Sequence, residues 1–246
     1  MSKLKLSGFN NLRKLLSFSF YDFVVAQDEA DRKSYAAYLN ERYAAARIRG
    51  LLERIAEIID AEVLSASEQD YEPYGASALL LLSDEAGSGA APAWASSVRM
   101  HLDKSHIAAH TYPDFAHPEG ILGFRVDIEL STCGEISPLR SLDEIFRFFD
   151  TDVVVIDYLV RGYTRAEDGS HVFMDHEVPS IAHFIDPAIL DQFERVERAL
   201  PPAHTWQLKL LRTAVDPAEY FAPGKPVDEA RLAAVLDEMR TIFSRL

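Results

Sequence analysis

The stretch "GFRVDIELSTCG", Gly123 to Gly134, decides how the middle of this chain folds. Its even positions, Phe124, Val126, Ile128 and Leu130, are apolar, while Arg125, Asp127, Glu129, Ser131 and Cys133 take the odd ones. Side chains alternate faces along an extended backbone, so the pattern predicts a strand with one buried and one polar face. Cys133, the only cysteine of the chain, falls on the polar face if the strand continues that far.

Outward from this strand, its neighbours also read as strands. One is predicted around residues 98 to 111. "PYGASALLLLSDE" reads as a turn followed by a buried strand, and "AEVLSASEQDYE" before it as extended. "AGSGAAPAWASS", residues 86–97, is rich in Gly, Ala, Ser and Pro and reads as a loop between two strands. Downstream, "DVVVIDYLVRGY" is a strand, and Asp168-Gly169 suits a hairpin turn into "SHVFM". Helices are predicted at both ends of the sequence. Residues 28–59 form two, with Leu51, Leu52, Ile55, Ile58 and Ile59 at helical spacing. Ser137 and Pro138 supply an N-cap and a first-turn proline for a helix carrying Leu139, Leu142, Ile145 and Phe149 on one side. The last third reads as mostly helical: "PAILDQFERVERAL" ends at Pro201-Pro202, and a final helix starts near Asp228. Adjacent strands in the middle with helices outside predict an α+β fold around an antiparallel sheet.

Composition narrows the function classes. The chain has 246 residues, 48% hydrophobic and 26% charged, as in ordinary globular proteins. A formal charge of −14 argues against a nucleic-acid partner, which needs a basic footprint, and is compatible with a cationic small-molecule substrate. One cysteine cannot form an internal disulfide. Lys3, Lys5, Arg13 and Lys14 before "LLSFSFYDFVVAQ" imitate a signal peptide, but Ser17, Ser19, Tyr21 and Asp22 interrupt its apolar region. No run approaches the ~18 apolar residues of a membrane span. The expectation is a cytoplasmic protein with no membrane partner.

Two segments carry chemistry. A lone cysteine is usually a packing residue, yet one on a polar face beside Gly134 also suits an acid or a nucleophile. Zinc would need further sulfur ligands that the chain lacks. "HLDKSHIAAHTYPD", His101 to Asp114, gathers three histidines, a lysine and a serine. Metal ligation by His106 and His110, a Ser/His nucleophile pair and a plain solvated strand all fit, and no "GxSxG" turn surrounds Ser105. Apolar residues hold even positions before Lys104 (Val98, Met100, Leu102) and odd positions after Ser105 (Ile107, Ala109). This change of parity predicts a bulge or turn at Lys104–Ser105, which would let Ser105 and His110 point into one site.

In family order, "KLKLSGFNNL", "QDYEPYGAS", "HLDKSH", "HTYP", "STCG", "IDYLVRGYTR" and "DHEVPSI" resemble the S-adenosylmethionine decarboxylase proenzymes, in their longer bacterial branch. Asp114, where that family usually has glutamate, and the extra "DFAHPEG" depart from it. The resemblance implies one domain over residues 1–246, cut by autocatalytic serinolysis at Lys104–Ser105 into a β chain 1–104 and an α chain 105–246. Ser105 would become a covalent pyruvoyl cofactor that forms a Schiff base with the substrate. His110 matches the family's processing base, Ser77 a serine that assists processing, and Cys133 the proton donor. The implied enzyme is a carboxy-lyase that converts S-adenosyl-L-methionine to S-adenosylmethioninamine for spermidine biosynthesis. An arginine or ornithine decarboxylase on the same scaffold is the alternative, and a non-catalytic relative is the reading from a different class. The resemblance also implies a sandwich of antiparallel sheets with helices outside, in α/β/β/α layers made when αβ units associate into a homo-oligomer. Some members of this branch are activated by Mg2+, but the sequence assigns no metal ligands.

Overall fold

The computed structural model describes residues 12–83, 104–133, 136–166 and 168–246. The elements in chain order are β1 (Arg13–Val25), α1 (Glu29–Arg42), α2 (Ala45–Ile58), β2 (Glu62–Asp70), β3 (Ala76–Ser83), β4 (Lys104–Asp114) and β5 (Ile121–Cys133). Then come α3 (Leu142–Phe148), β6 (Val153–Arg161), β7 (Thr164–Arg165), β8 (His171–Val172), α4 (Pro187–Leu190), β9 (Phe193–Leu200), β10 (Thr205–Arg212) and α5 (Glu229–Arg245). Eight strands make one sheet in the order β2-β3-β4-β5-β1-β6-β10-β9, every pair antiparallel. The remaining two, β7 and β8, form a small hairpin whose Gly169 has φ +83°. The α+β reading stands.

The stretch that imitates a signal peptide is β1, which lies inside the sheet between β5 and β6. The alternation of β5 is realised: Phe124, Val126, Ile128 and Leu130 are buried. They pack with Leu16, Phe18 and Phe20 of β1 and with Ile48, Leu51, Leu52 and Ile55 of α2 in the main core. Leu142 and Ile145 of α3 complete the layer of helices on that face. On the other face, α5 brings Val235 and Met239 against Phe23, Val25, Val153 and Leu211, at one end of the sheet only. Asp228 caps α5 by accepting from the amides of Ala230 and Arg231 at 3.1 and 3.2 Å.

Three expectations are corrected. Residues 187–200 are not one helix: a single turn, α4, is followed by the strand β9, so the last third is more sheet than helix. Phe193, Val196 and Leu200 do recur at helical spacing, but nearly all of β9 is exposed and its side chains bury too little to decide. What holds it extended is its ladder to β10. Ser137 makes no side-chain cap, and a 3-10 turn over Pro138–Ser141 precedes α3 instead. Finally β4 runs on to Asp114. The expected loop 86–97 and the residues before Lys104, half of the parity argument, lie outside the described residues.

Candidate active site

The alternation of β5 gives the sheet an open face opposite the main core. Arg125, Asp127, Glu129, Ser131 and Cys133 stand on it, beside odd-numbered residues of β1 and even-numbered residues of β4. Its polar groups are tied to each other. Arg13 Nε donates to Ser131 Oγ at 2.9 Å, and Ser19 Oγ donates to Asp127 Oδ1 at 2.8 Å. The Arg125 guanidinium lies 4.2 Å over the Tyr112 ring.

Ser105 and Cys133 meet. Ser105 is fully buried near the start of β4, and its Oγ accepts a hydrogen bond from the Cys133 amide at 3.1 Å. The thiol of Cys133 is half-buried at the end of β5, as its place on the polar side predicts. His106 follows Ser105 on the open face and pairs with Ser131. Burial and the positive charge of Arg13 lower its pKa against the opposing pull of Glu129, which favours a neutral imidazole.

Ser77 and His110 form a second pair. They are directly opposite one another on β3 and β4, and Ser77 Oγ lies 2.9 Å from the Tyr71 hydroxyl. His110 lines a hollow of about 440 Å³ with Tyr71, Tyr74 and Tyr112. The two pairs do not come together within one chain. Ser105 and His110 lie in one regular strand segment, five residues and so about 17 Å apart, with their side chains on opposite faces. No bulge interrupts the segment between them, so the expectation that Ser105 and His110 of one chain point into one site is corrected.

Two supports escape a reading of local sequence. Lys14, on the core face of β1 and fully buried, bonds the Ile136 carbonyl at 3.1 Å and is ion-paired with Asp175. Asp175 holds His176 Nδ1 at 2.7 Å. The only hint of this network is a lysine inside an apolar alternation, at a position that must be buried.

At the other end of β1 lies a larger hollow of about 790 Å³, lined by Asp22, Asp150, Asp152, Tyr35 and Tyr220 among others. Among the described residues no group of three or more His, Cys, Asp or Glu side chains is placed to hold a metal ion.

The profile of the S-adenosylmethionine decarboxylase family matches residues 34–162, from α1 through β6. The chain is also 39% identical to the S-adenosylmethionine decarboxylase proenzyme of Clostridium botulinum, covering 89% of this chain and 85% of that one. The chain belongs to the S-adenosylmethionine decarboxylase family. Family members with the same proenzyme name match from Hahella chejuensis (45% identity, 79% and 76% of the two chains) and Salmonella arizonae (40%, 99% and 97%). Among solved members, the adenosylmethionine decarboxylase from Aquifex aeolicus gives a TM-score of 0.35 at 17% identity, covering 69% of this chain and 99% of that one. Among the described residues no helix is long and apolar enough to cross a membrane.

Proposed function

We propose that the chain is a self-cleaving proenzyme whose processed form decarboxylates S-adenosylmethionine, a step of spermidine biosynthesis in the cytoplasm. The observation that carries this is the 3.1 Å bond between Ser105 Oγ and the Cys133 amide. It ties the hydroxyl that processing consumes to the backbone of the residue whose thiol turnover needs. Ser105 Oγ attacks the Lys104 carbonyl carbon; the peptide C–N bond breaks as the C–O bond forms, leaving an ester. Loss of the Ser105 Cα proton to a base expels the Lys104 carboxylate. Water then displaces ammonia, and the chain beginning at position 105 carries a pyruvoyl group. That group supplies the electron sink for the charge left by CO2. Cys133 faces the open side and delivers a proton to the substrate α-carbon. The test is intact mass with CO2 release: chains 1–104 and 105–246, and CO2 from S-adenosylmethionine rather than from arginine or ornithine, are expected. A single full-length chain after prolonged incubation overturns the proposal.

His110, the proposed processing base, has to reach Ser105 from elsewhere. Both Cys133 and His110 belong to the open face, and His110 pairs with Asp127, six residues before Cys133 on β5. A second copy stacked through this face, about 10 Å away, on a two-fold axis through its middle would set His110 and Ser77 of one copy over Cys133 of the other. Such stacking also makes the α/β/β/α layers. His110→Ala alone is then expected to stall as the ester, which hydroxylamine splits at position 104. Co-expression with Ser105→Ala, which carries an intact His110, should restore cleavage of the His110→Ala chain. Failure to restore it would place the base within the same chain.

A further inference from the structure

The family chemistry accounts for Ser105, Cys133, His110 and Ser77 but gives no work to a fully buried lysine. Lys14 pairs with Thr132 on β5, one residue before the proposed proton donor. Its ammonium donates to the Ile136 carbonyl at 3.1 Å, on the far side of Cys133. Thr132 Oγ1 donates to the same carbonyl at 3.3 Å. Thr132, just before Cys133, and Ile136, three residues after it, are therefore tied to each other, and Ile136 to Lys14. The Asp175 carboxylate bonds the ammonium, and its other oxygen holds His176 Nδ1 at 2.7 Å, with the Tyr158 hydroxyl 3.4 Å from Nε2. Burial alone would raise the pKa of Asp175, but the His176 bond and the charge of Lys14 outweigh it and keep the carboxyl ionised. A buried ion pair is costly to form and gains little stability over apolar packing. Its fixed geometry is what it offers to a neighbouring reactive group.

We infer that Lys14, held by Asp175, is a positioning residue for Cys133: through the Ile136 carbonyl it fixes where the thiol points, and so which carbon receives the proton. This rests on the reading of Cys133 as the proton donor. Delivered to the substrate α-carbon, the proton leaves the amine on the product. Delivered instead to the α-carbon of residue 105, it leaves the amine there; water then releases the substrate skeleton as an aldehyde, and residue 105 ends as alanine. A misaimed thiol thus inactivates the enzyme in a countable way.

The experiment uses full-length, matured protein with S-adenosylmethionine, and follows CO2 and the mass of the 105–246 chain together. Lys14→Met keeps the bulk and removes the bonds. Alanine formed per CO2 released is expected to rise about tenfold, with KM within about twofold, since small misplacements cost rate rather than affinity. Thr132→Val removes only the second bond to Ile136 and should raise the same ratio about threefold. Loss of fold lowers CO2 and alanine alike and leaves the ratio unmoved. An unchanged ratio in Lys14→Met overturns the inference. If Lys14→Met does not mature, Thr132→Val and Asp175→Asn decide, and unchanged ratios in both overturn it. Unmutated protein that releases no CO2 overturns the reading of the site, and this inference with it.

Discussion

Ser105 is held by a backbone group of Cys133, and that separates the two jobs of the site at the level of single residues. Cys133→Ala keeps the amide that bonds Ser105 Oγ, so the precursor should still split. What it removes is the thiol, and a missing general acid costs ~10²–10⁴ in rate. The check is a gel for cleavage beside an assay of CO2 release; full activity would leave Cys133 a packing residue. Ser105→Ala should remain one chain and inactive, because it removes the nucleophile. The polar place of Cys133 was legible in the alternation of β5. The partners around it were not: Arg13 reaches Ser131 across 118 positions, and Lys14 reaches Asp175 across 161. Pairings of that range depend on strand order, which no local period encodes.

At the scale of elements, the period read most easily where one face was deeply buried. β5 and α2 show this, and each appears where its apolar residues predict it. β9 misled because it buries almost nothing, so Phe193, Val196 and Leu200 could fit a helix as well as a strand. Its alternating glutamates and arginines now guard an edge of the sheet. The entry to β5 depends on Gly120, with φ +80° and an added Cβ only 2.4 Å from the Ala26 carbonyl oxygen. Gly169, at φ +83°, has nothing within 4 Å of its added Cβ. Gly169→Ala should therefore cost only the left-handed backbone term, ~1–2 kcal/mol. Gly120→Ala adds a backbone collision and should cost more, ~3 kcal/mol, through distortion of the β1–β5 ladder. Urea midpoints of the two variants give the comparison, and equal losses would show that Ala26 moves aside freely.

For the whole molecule, the acidic hollow at the far end of β1 sets a pH dependence. Burial, then the carboxylates of Asp152 and Asp150, push Asp22 well above its usual range. Burial lifts Asp152 to about 6 although Tyr220 and the Phe23 amide bond it. Carboxyls raised in the folded state bind protons there more tightly than in the unfolded chain. The contribution of these two carboxyls to stability is therefore lost as pH rises above the ordinary carboxylate range, for Asp152 through about 6. Asp22→Asn is expected to lie close to the unmutated protein at pH 4.5 and to be more stable at pH 7, in urea melts of both. A gap that stays constant across this range would show that Asp22 does not titrate on unfolding.

The strand order carries one more consequence, for the life of the protein after cleavage. β1 belongs to the segment before Lys104, yet it sits between β5 and β6, which both come after it. The cut at Lys104–Ser105 would leave two polypeptides woven through each other, with the middle of the sheet contributed by the shorter one. The precursor can find this weave as a single molecule. The matured pair, once melted, would have to meet again by diffusion, each fragment with unpaired strand edges exposed to strangers. Folding would thus be reversible only in infancy. Cooling after heat should return the Ser105→Ala precursor at any dilution, whereas recovery of the cleaved enzyme should fall with dilution and give way to aggregate. Equal recovery of both would mean that the halves find each other without their tether.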